Sequence, residues 1–412
     1  MTIRKYEIAT IICGTLLIVA APAYSADTAA QSNGASSSAV LGGVNVQWFG
    51  TIDVGVSSTN SGYGNQVRVE GGGGESNSAL GVDITKDLGG GYRAVAKLEG
   101  GLLVTTGDMG GSTPAAGANV TAVSSGGTPG TGPQLFARTA WGGMQTPFGQ
   151  LTVGRQYTTS YIAATSIGSA YGQGLYGLTA ALSSKVGTMP TRVNNSIAYS
   201  SPNTNGFVFS GLYTAGAENN LSAPLVSGAT TSTSASGQGS DFGLRYSNGP
   251  FNAALTTWSI NAATYATAGE TGLATNKGYL VAANYDFGFA KLAAQYVSGS
   301  ITGGNYENIT KVLSDGSAYG VSAVVPVGTK NDLIATYTQL TDSSALNKSA
   351  TLVGLSDIYH IDKMTSLYFS YGVMQNSPNS SYSLTDAGDL VGNIAAPGTT
   401  ATGFSVGFNY RF

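Results

Sequence analysis

The 412-residue chain is poor in the side chains on which most enzymes and cross-linked proteins depend. It contains one cysteine, Cys13, and one histidine, His360. A disulfide framework, a thiolate metal site and a histidine cluster are therefore out of reach, and no cofactor is implied. Only 9% of the residues are charged and the formal net charge is −3, so there is no basic surface for nucleic acid. Beyond the N-terminal region no stretch reaches 18 consecutive apolar residues, which excludes a bundle of membrane-spanning helices.

Enzyme motifs are equally thin. Gly403-Phe404-Ser405-Val406-Gly407 matches the spacing of a hydrolase elbow. That motif needs a strand-turn-helix and a later acid and histidine, whereas Phe408 to Phe412 supply neither. The glycine clusters at 71–74 and 110–111 lack the Lys-Ser/Thr that a phosphate-binding loop requires. The chain is not read as an enzyme.

What is abundant is glycine, with 60 residues, and tyrosine, with 23, at a mean hydropathy of +0.07. The N-terminus carries Arg4 and Lys5, an apolar run from about Ile8 to Ala21, and small residues at 23–26. These are the parts of a secretory signal, so residues 1–26 are expected to be removed. With them go Arg4, Lys5 and Glu7, which leaves the remainder net −4. Residues 27–43 form a polar segment assigned to the periplasmic side, and residues 44–412 form the main domain.

That domain is built from period-two segments. In TGFSVGFNYRF at 402–412, Phe404, Val406, Phe408, Tyr410 and Phe412 share one face, while Ser405, Gly407, Asn409 and Arg411 share the other. Similar segments lie near 44–57, 78–86, 91–105, 135–144, 148–156, 194–201, 206–215, 238–248, 251–262, 276–287, 289–299, 317–326, 331–341, 350–359, 365–375 and 401–412. Tight turns, such as 87–91, 145–149, 202–206 and 286–288, alternate with long connections rich in Gly, Ser, Thr and Ala, such as 107–134 and 216–237. An even number of strands joined alternately by short and long loops predicts an all-β, 16-stranded antiparallel transmembrane β-barrel. In hydrocarbon every backbone group must be paired, so the last strand must close on the first. The first strand, with Val44, Val46, Trp48, Ile52, Val54 and Val56 on one face, suits that seam, and Trp48 and Phe412 are expected to mark the closure. Phe49 departs from the alternation and should point inward.

Charge fixes which face is the lumen. Arg93, Lys97 and Glu99 share parity in the third segment, opposite Tyr92, Ala94, Ala96 and Leu98. A basic residue facing lipid at the midplane costs about 2–4 kcal/mol, so the charged parity faces water.

Several segments, taken in order, resemble the general porins of Gram-negative outer membranes, above all the beta-proteobacterial trimeric group. They are WFGTIDVGV at 48–56, KDLGGGYRAVAKLEGG at 86–101, LFARTAWGGMQTPFGQLTVGRQY at 135–157, RVNNSIAYSSPNTNGFVFSGLY at 192–213, YDFGFAKLAAQY at 285–296 and the terminal GFSVGFNYRF. Two departures touch pore charge: Ile361-Asp-Lys-Met-Thr365 stands where the group usually has a basic Ser-Lys-Arg-Thr, and residues 78–89 lack its usual arginine and glutamate. The resemblance implies an outer-membrane homotrimer in contact with lipid, recognised during assembly by its C-terminal aromatic strand, and carrying small hydrophilic solutes and ions. A channel preferring a sugar or organic acid, and a barrel-scaffolded adhesin, are the competing readings.

The constriction is expected at the connection 156–191. Strict alternation would put Arg155 into lipid, so the chain must leave the sheet near Gly154. The residues that follow are too apolar for an exposed loop and are expected to fold into the barrel as its third loop. No Asp or Glu occurs between Gln156 and Ala217, whereas Lys185 and Arg192 are basic. The wall candidates are Arg93, Lys97, Arg138, Arg245 and, once the chain turns inward, Arg155, with Lys291 a further possibility, against Asp53 and Glu99. This set predicts a weakly anion-selective or nearly non-selective neck.

Overall fold

The computed structural model describes residues 38–70, 74–105, 107–109, 135–171, 189–216, 237–262, 274–302, 315–386, 389–391 and 395–412. The expected signal segment, most of 27–43 and Lys185 lie outside the described residues. Sixteen strands form the barrel: β1 (Val44–Asn60), β2 (Ala79–Gly89), β3 (Tyr92–Leu103), β4 (Thr139–Thr146), β5 (Gly149–Tyr157), β6 (Arg192–Ser200), β7 (Phe207–Ala215), β8 (Gln238–Asn248), β9 (Phe251–Ala262), β10 (Ala274–Asp286), β11 (Lys291–Thr302), β12 (Asp315–Val327), β13 (Asn331–Asp342), β14 (Ala350–His360), β15 (Thr365–Asn376) and β16 (Thr400–Arg411). Each pairs antiparallel with the next. β16 pairs with β1 from Thr51↔Arg411 to Asn60↔Thr402, which closes the ring.

The expected alternation is what the strands show. On β16, Phe404, Val406, Phe408 and Tyr410 are exposed on the outside, while Ser405 and Asn409 are buried in the interior. Trp48 is 48% exposed on the outer face of β1, and Phe49 turns inward at 6%. The inward Phe49 has two causes. Its ring covers Gly81, where a Cβ would lie 2.3 Å from Cζ, and Lys97 Nζ sits 4.2 Å from the ring centre.

β1 runs further than the alternation suggests because both of its edges are occupied. Residues 44–51 pair with β2, and beyond them Asn65–Glu70 folds back along Gly55–Asn60. On the seam edge, Ser38–Leu41 pairs with Val44–Gln47 below the end of β16. At the seam Gly50 and Phe412 exchange both backbone hydrogen bonds, at 2.9 and 3.0 Å. Tyr368 seals the seam from inside: its ring and hydroxyl fill the space over Gly55 and Gly407, and the hydroxyl donates to Asp53 at 2.9 Å.

Candidate pore constriction

The third loop leaves the sheet at a register shift between Gly154 and Gln156. Gly154 has φ +136° and its partner strand carries Asn195 at φ +45°, a pair of conformations that kinks both strands and frees Arg155 from strict alternation. Arg155 then donates to the Ala137 carbonyl at 2.6 Å and to Asn194 Oδ1 at 2.5 Å. The root is tied where Thr158 N donates to the Thr191 carbonyl and Thr158 Oγ1 to that of Pro190.

A short helix, α1 (Thr159–Ser166), follows, with Thr158 as N-cap accepting from Tyr161 N. Eight residues make a marginal helix in water. Packing makes up the difference, because Tyr161, Ile162, Ala163, Ala164 and Ile167 lie on an inner wall that is apolar at this height. Ala254 and Trp258 of β9, Leu280 and Ala282 of β10 and Val297 of β11 form that wall. Lumen-facing apolar residues on these strands are the sequence signal that something covers them.

Polar anchors then mark the path of the loop. Ser160 N, in the first turn of α1, donates to both carboxylate oxygens of Asp241 on β8 at 3.2 Å, where the positive end of the helix dipole also favours a carboxylate. Asn284 Nδ2 on β10 donates to the Ile167 carbonyl at 2.9 Å, and Ala170 N donates to Ser322 Oγ on β12 at 2.9 Å. Tyr171 OH donates to Glu75 Oε1 at 2.9 Å. The described part of the loop, to Tyr171, therefore follows the inner wall from β5 past β12.

The wall around β3 carries alternating charge. Arg138 Nε donates to Glu99 Oε1 at 2.5 Å, while Lys97 Nζ lies 3.9 Å from Glu99 Oε2 and 3.7 Å from Asp83 Oδ1. Arg93 shares the lumen face of β3 with Lys97 and Glu99. At the loop root Arg192 lies 4.3 Å from the centre of the Tyr157 ring and donates to its hydroxyl at 2.5 Å. These partners of Arg155 and Arg192 are neutral. Arg245 sits on β8 on the same face as Asp241 and Gly243, further toward the short turn at 249–250.

Asp53 has a different setting from the other sequence-selected residues. It is fully buried at the seam, accepting from the backbone N–H groups of Gly74, Glu75 and Ser76 at 2.8, 3.0 and 2.9 Å, and from Asn409 Nδ2 at 2.7 Å. It pins an inward fold of the first loop. Glu75 and Asp241 were absent from the sequence-based set. Parity with Arg245 could have found Asp241, whereas Glu75 lies in an aperiodic glycine-rich turn that carries no such signal.

A family model described as Gram-negative porin matches residues 14–380. Outer membrane porin protein 32 of Delftia acidovorans is 28% identical over 388 residues, covering 92% of this chain and 97% of that protein. An outer membrane porin protein of Bordetella pertussis is 27% identical over 323 residues, covering 72% of this chain and 76% of that one. Among solved structures, an anion-selective porin from Comamonas acidovorans superposes with a TM-score of 0.67 at 22% identity, covering 90% of this chain and all of that one. A trimer form of OmpT from Vibrio cholerae gives 0.60 at 16% identity, covering 90% of this chain and 99% of that one. The family match, the two curated relatives and the shared barrel fold place the chain in the Gram-negative porin family, a channel of the outer membrane for passive diffusion.

Proposed function

We propose that the channel passes small hydrophilic solutes and ions with a weak preference for anions, and that its neck lies between the third loop and the β2–β6 wall. The carrying observation is an imbalance. Glu99 and Asp83 stand beside Arg138 and Lys97, whereas Arg155 and Arg192 sit at the root of a loop with no carboxylate from Gln156 to Ala217. Fixed positive charge at a narrow, partly low-dielectric passage raises the local anion concentration whatever the sign of the whole chain. The selectivity named for the Comamonas acidovorans porin agrees with this reading.

Within it, Arg93, Lys97, Arg138, Arg155 and Arg192 line the passage, Arg245 and Lys185 extend the basic set, and Glu99 moderates it. Asp53 serves as an anchor beneath the first loop. The protein works as a homotrimer in the lipid of the outer membrane, a reading supported by the trimer form of Vibrio cholerae OmpT. Its final strand, with the aromatic outer face, is the segment that assembly machinery would recognise.

The test is a reversal potential across a KCl gradient in planar bilayers. A shift toward the chloride equilibrium potential is expected, and Arg138→Gln with Arg155→Gln should reduce it. Clear cation selectivity, or no change in the double variant, would overturn the assignment.

A further inference from the structure

The third loop is held by two carboxylates, Asp241 at the start of α1 and Glu75 beyond its far end. Asp241 belongs to a barrel strand, but Glu75 belongs to the first loop. Three backbone donors at 74–76 converge on Asp53, which is itself held by Tyr368 of β15 and Asn409 of β16. Thus Glu75 is fixed through its backbone to the seam, and the residue is 1% exposed. Its carboxylate accepts from three elements at once: Tyr171 OH of the third loop at 2.9 Å, Ser366 Oγ of β15, and Arg411 Nη2 of β16 at 2.5 Å. Burial, and next the neighbouring carboxylate, push the Tyr171 phenol well above its ordinary value, so it stays neutral and donates.

We propose that Glu75 is the positioning residue of the constriction, joining the first loop, the third loop and the C-terminal strand into one rigid unit through the Tyr171 contact. The proposal rests on the reading of the protein as a pore and goes beyond it by naming what holds the neck at a fixed width. Two features favour a mechanical role over a role in selectivity. Arg411 offsets the charge of Glu75 within the cluster, so the pair adds little field to the lumen. The eight-residue α1 lacks the length to hold its own position and depends on its tethers.

The experiment records single channels of wild type, Tyr171→Phe and Glu75→Gln in planar bilayers, alongside reversal potentials and heat-modifiable migration to verify folding. Tyr171→Phe removes one hydroxyl and leaves the barrel and its charges intact. It should raise the fraction of time spent in closed or sub-conductance states about fivefold, the population shift expected from one lost buried hydrogen bond. Glu75→Gln should give a larger rise in the same direction, and the Tyr171→Phe reversal potential should stay at the wild-type value. A Tyr171→Phe channel as quiet as wild type, or one whose selectivity shifts without added gating, would overturn the proposal, and this variant decides the matter if Glu75→Gln does not assemble. Failure of the wild type to conduct at all would instead remove the pore reading.

Discussion

Thr159, the first residue of α1, stands over Gly243 of β8 so closely that a Cβ on the glycine would lie 2.3 Å from Thr159 Cγ2 and 3.1 Å from Thr256 Cγ2. The missing side chain is what lets the helix lie flat on the wall and bring Ser160 N to Asp241. Gly243→Ala should therefore push α1 toward the lumen, at a cost of about 1–3 kcal/mol in packing. The expected result is a smaller single-channel conductance. Adding Thr159→Ser removes the clashing methyl and should return the conductance toward wild type. A Gly243→Ala channel of unchanged conductance would show that the helix does not bound the opening.

A second glycine governs closure. The Phe412 ring lies against Gly50 from the outside, where a Cβ would come within 2.3 Å of Cζ, and the two residues also exchange backbone hydrogen bonds. Gly50→Val should displace the ring, and deletion of Phe412 should remove both the ring and two hydrogen bonds, each bond contributing about 1 kcal/mol. Both variants should unfold at lower temperature than wild type in heat-modifiable gel migration, the deletion more so. Equal thermal stability would mean that β16 alone carries the seam.

How much of this was legible depended on whether the physics was local. Side-chain parity has period two and the cost of burying charge in lipid applies residue by residue, so the strands, the lumen face and the kink at Gly154 could all be read from short stretches of sequence. Phe49 could be seen to break the pattern, but not that Gly81 on the next strand leaves the hollow that receives it. Asp53 shares the lumen parity, yet it is capped by residues 74–76, whose inward fold no periodicity announces. Glu75 was missed for the same reason: its partners Tyr171, Ser366 and Arg411 are distant in sequence and are brought together only by barrel closure.

The turn between β14 and β15 offers a titration. Asp362 accepts from the backbone N–H groups of Met364 and Thr365 at 2.8 Å, and chiefly the Met364 bond holds its carboxyl below the usual carboxylate value. A folded-state value below the unfolded one contributes stability that is present above the unfolded pKa and is lost as pH falls through the folded one. Asp362→Ala should accordingly unfold at lower denaturant concentration than wild type at neutral pH. The gap should narrow as the pH is taken below about 4, the ordinary carboxylate value. A gap that is independent of pH would assign the effect to the loop backbone rather than to the charge.

The wall of β3 and β4 makes the sharpest statement about selectivity. Glu99 is buried between Arg138 and Lys97 and is the carboxylate that both share. Glu99→Gln retains an oxygen to accept from Arg138 Nε, so the arginine keeps its direction while the neck gains one net positive charge. Anion preference should rise, seen as a reversal potential closer to that of chloride. The shift should be larger at low ionic strength, where screening extends over tens of ångströms rather than about 10 Å at 0.1 M. The variant should also lose stability, by about 1–3 kcal/mol, because two buried cations lose their shared counter-charge and the water-filled lumen softens the penalty of a fully dry site. Lys97→Met makes the opposite change, removing a cation from the wall and the charge that lies over the Phe49 ring, and should lower the anion preference. If Glu99→Gln moved the reversal potential toward potassium, or if the two variants moved it the same way, the β2–β6 wall would not be the surface that permeant ions read.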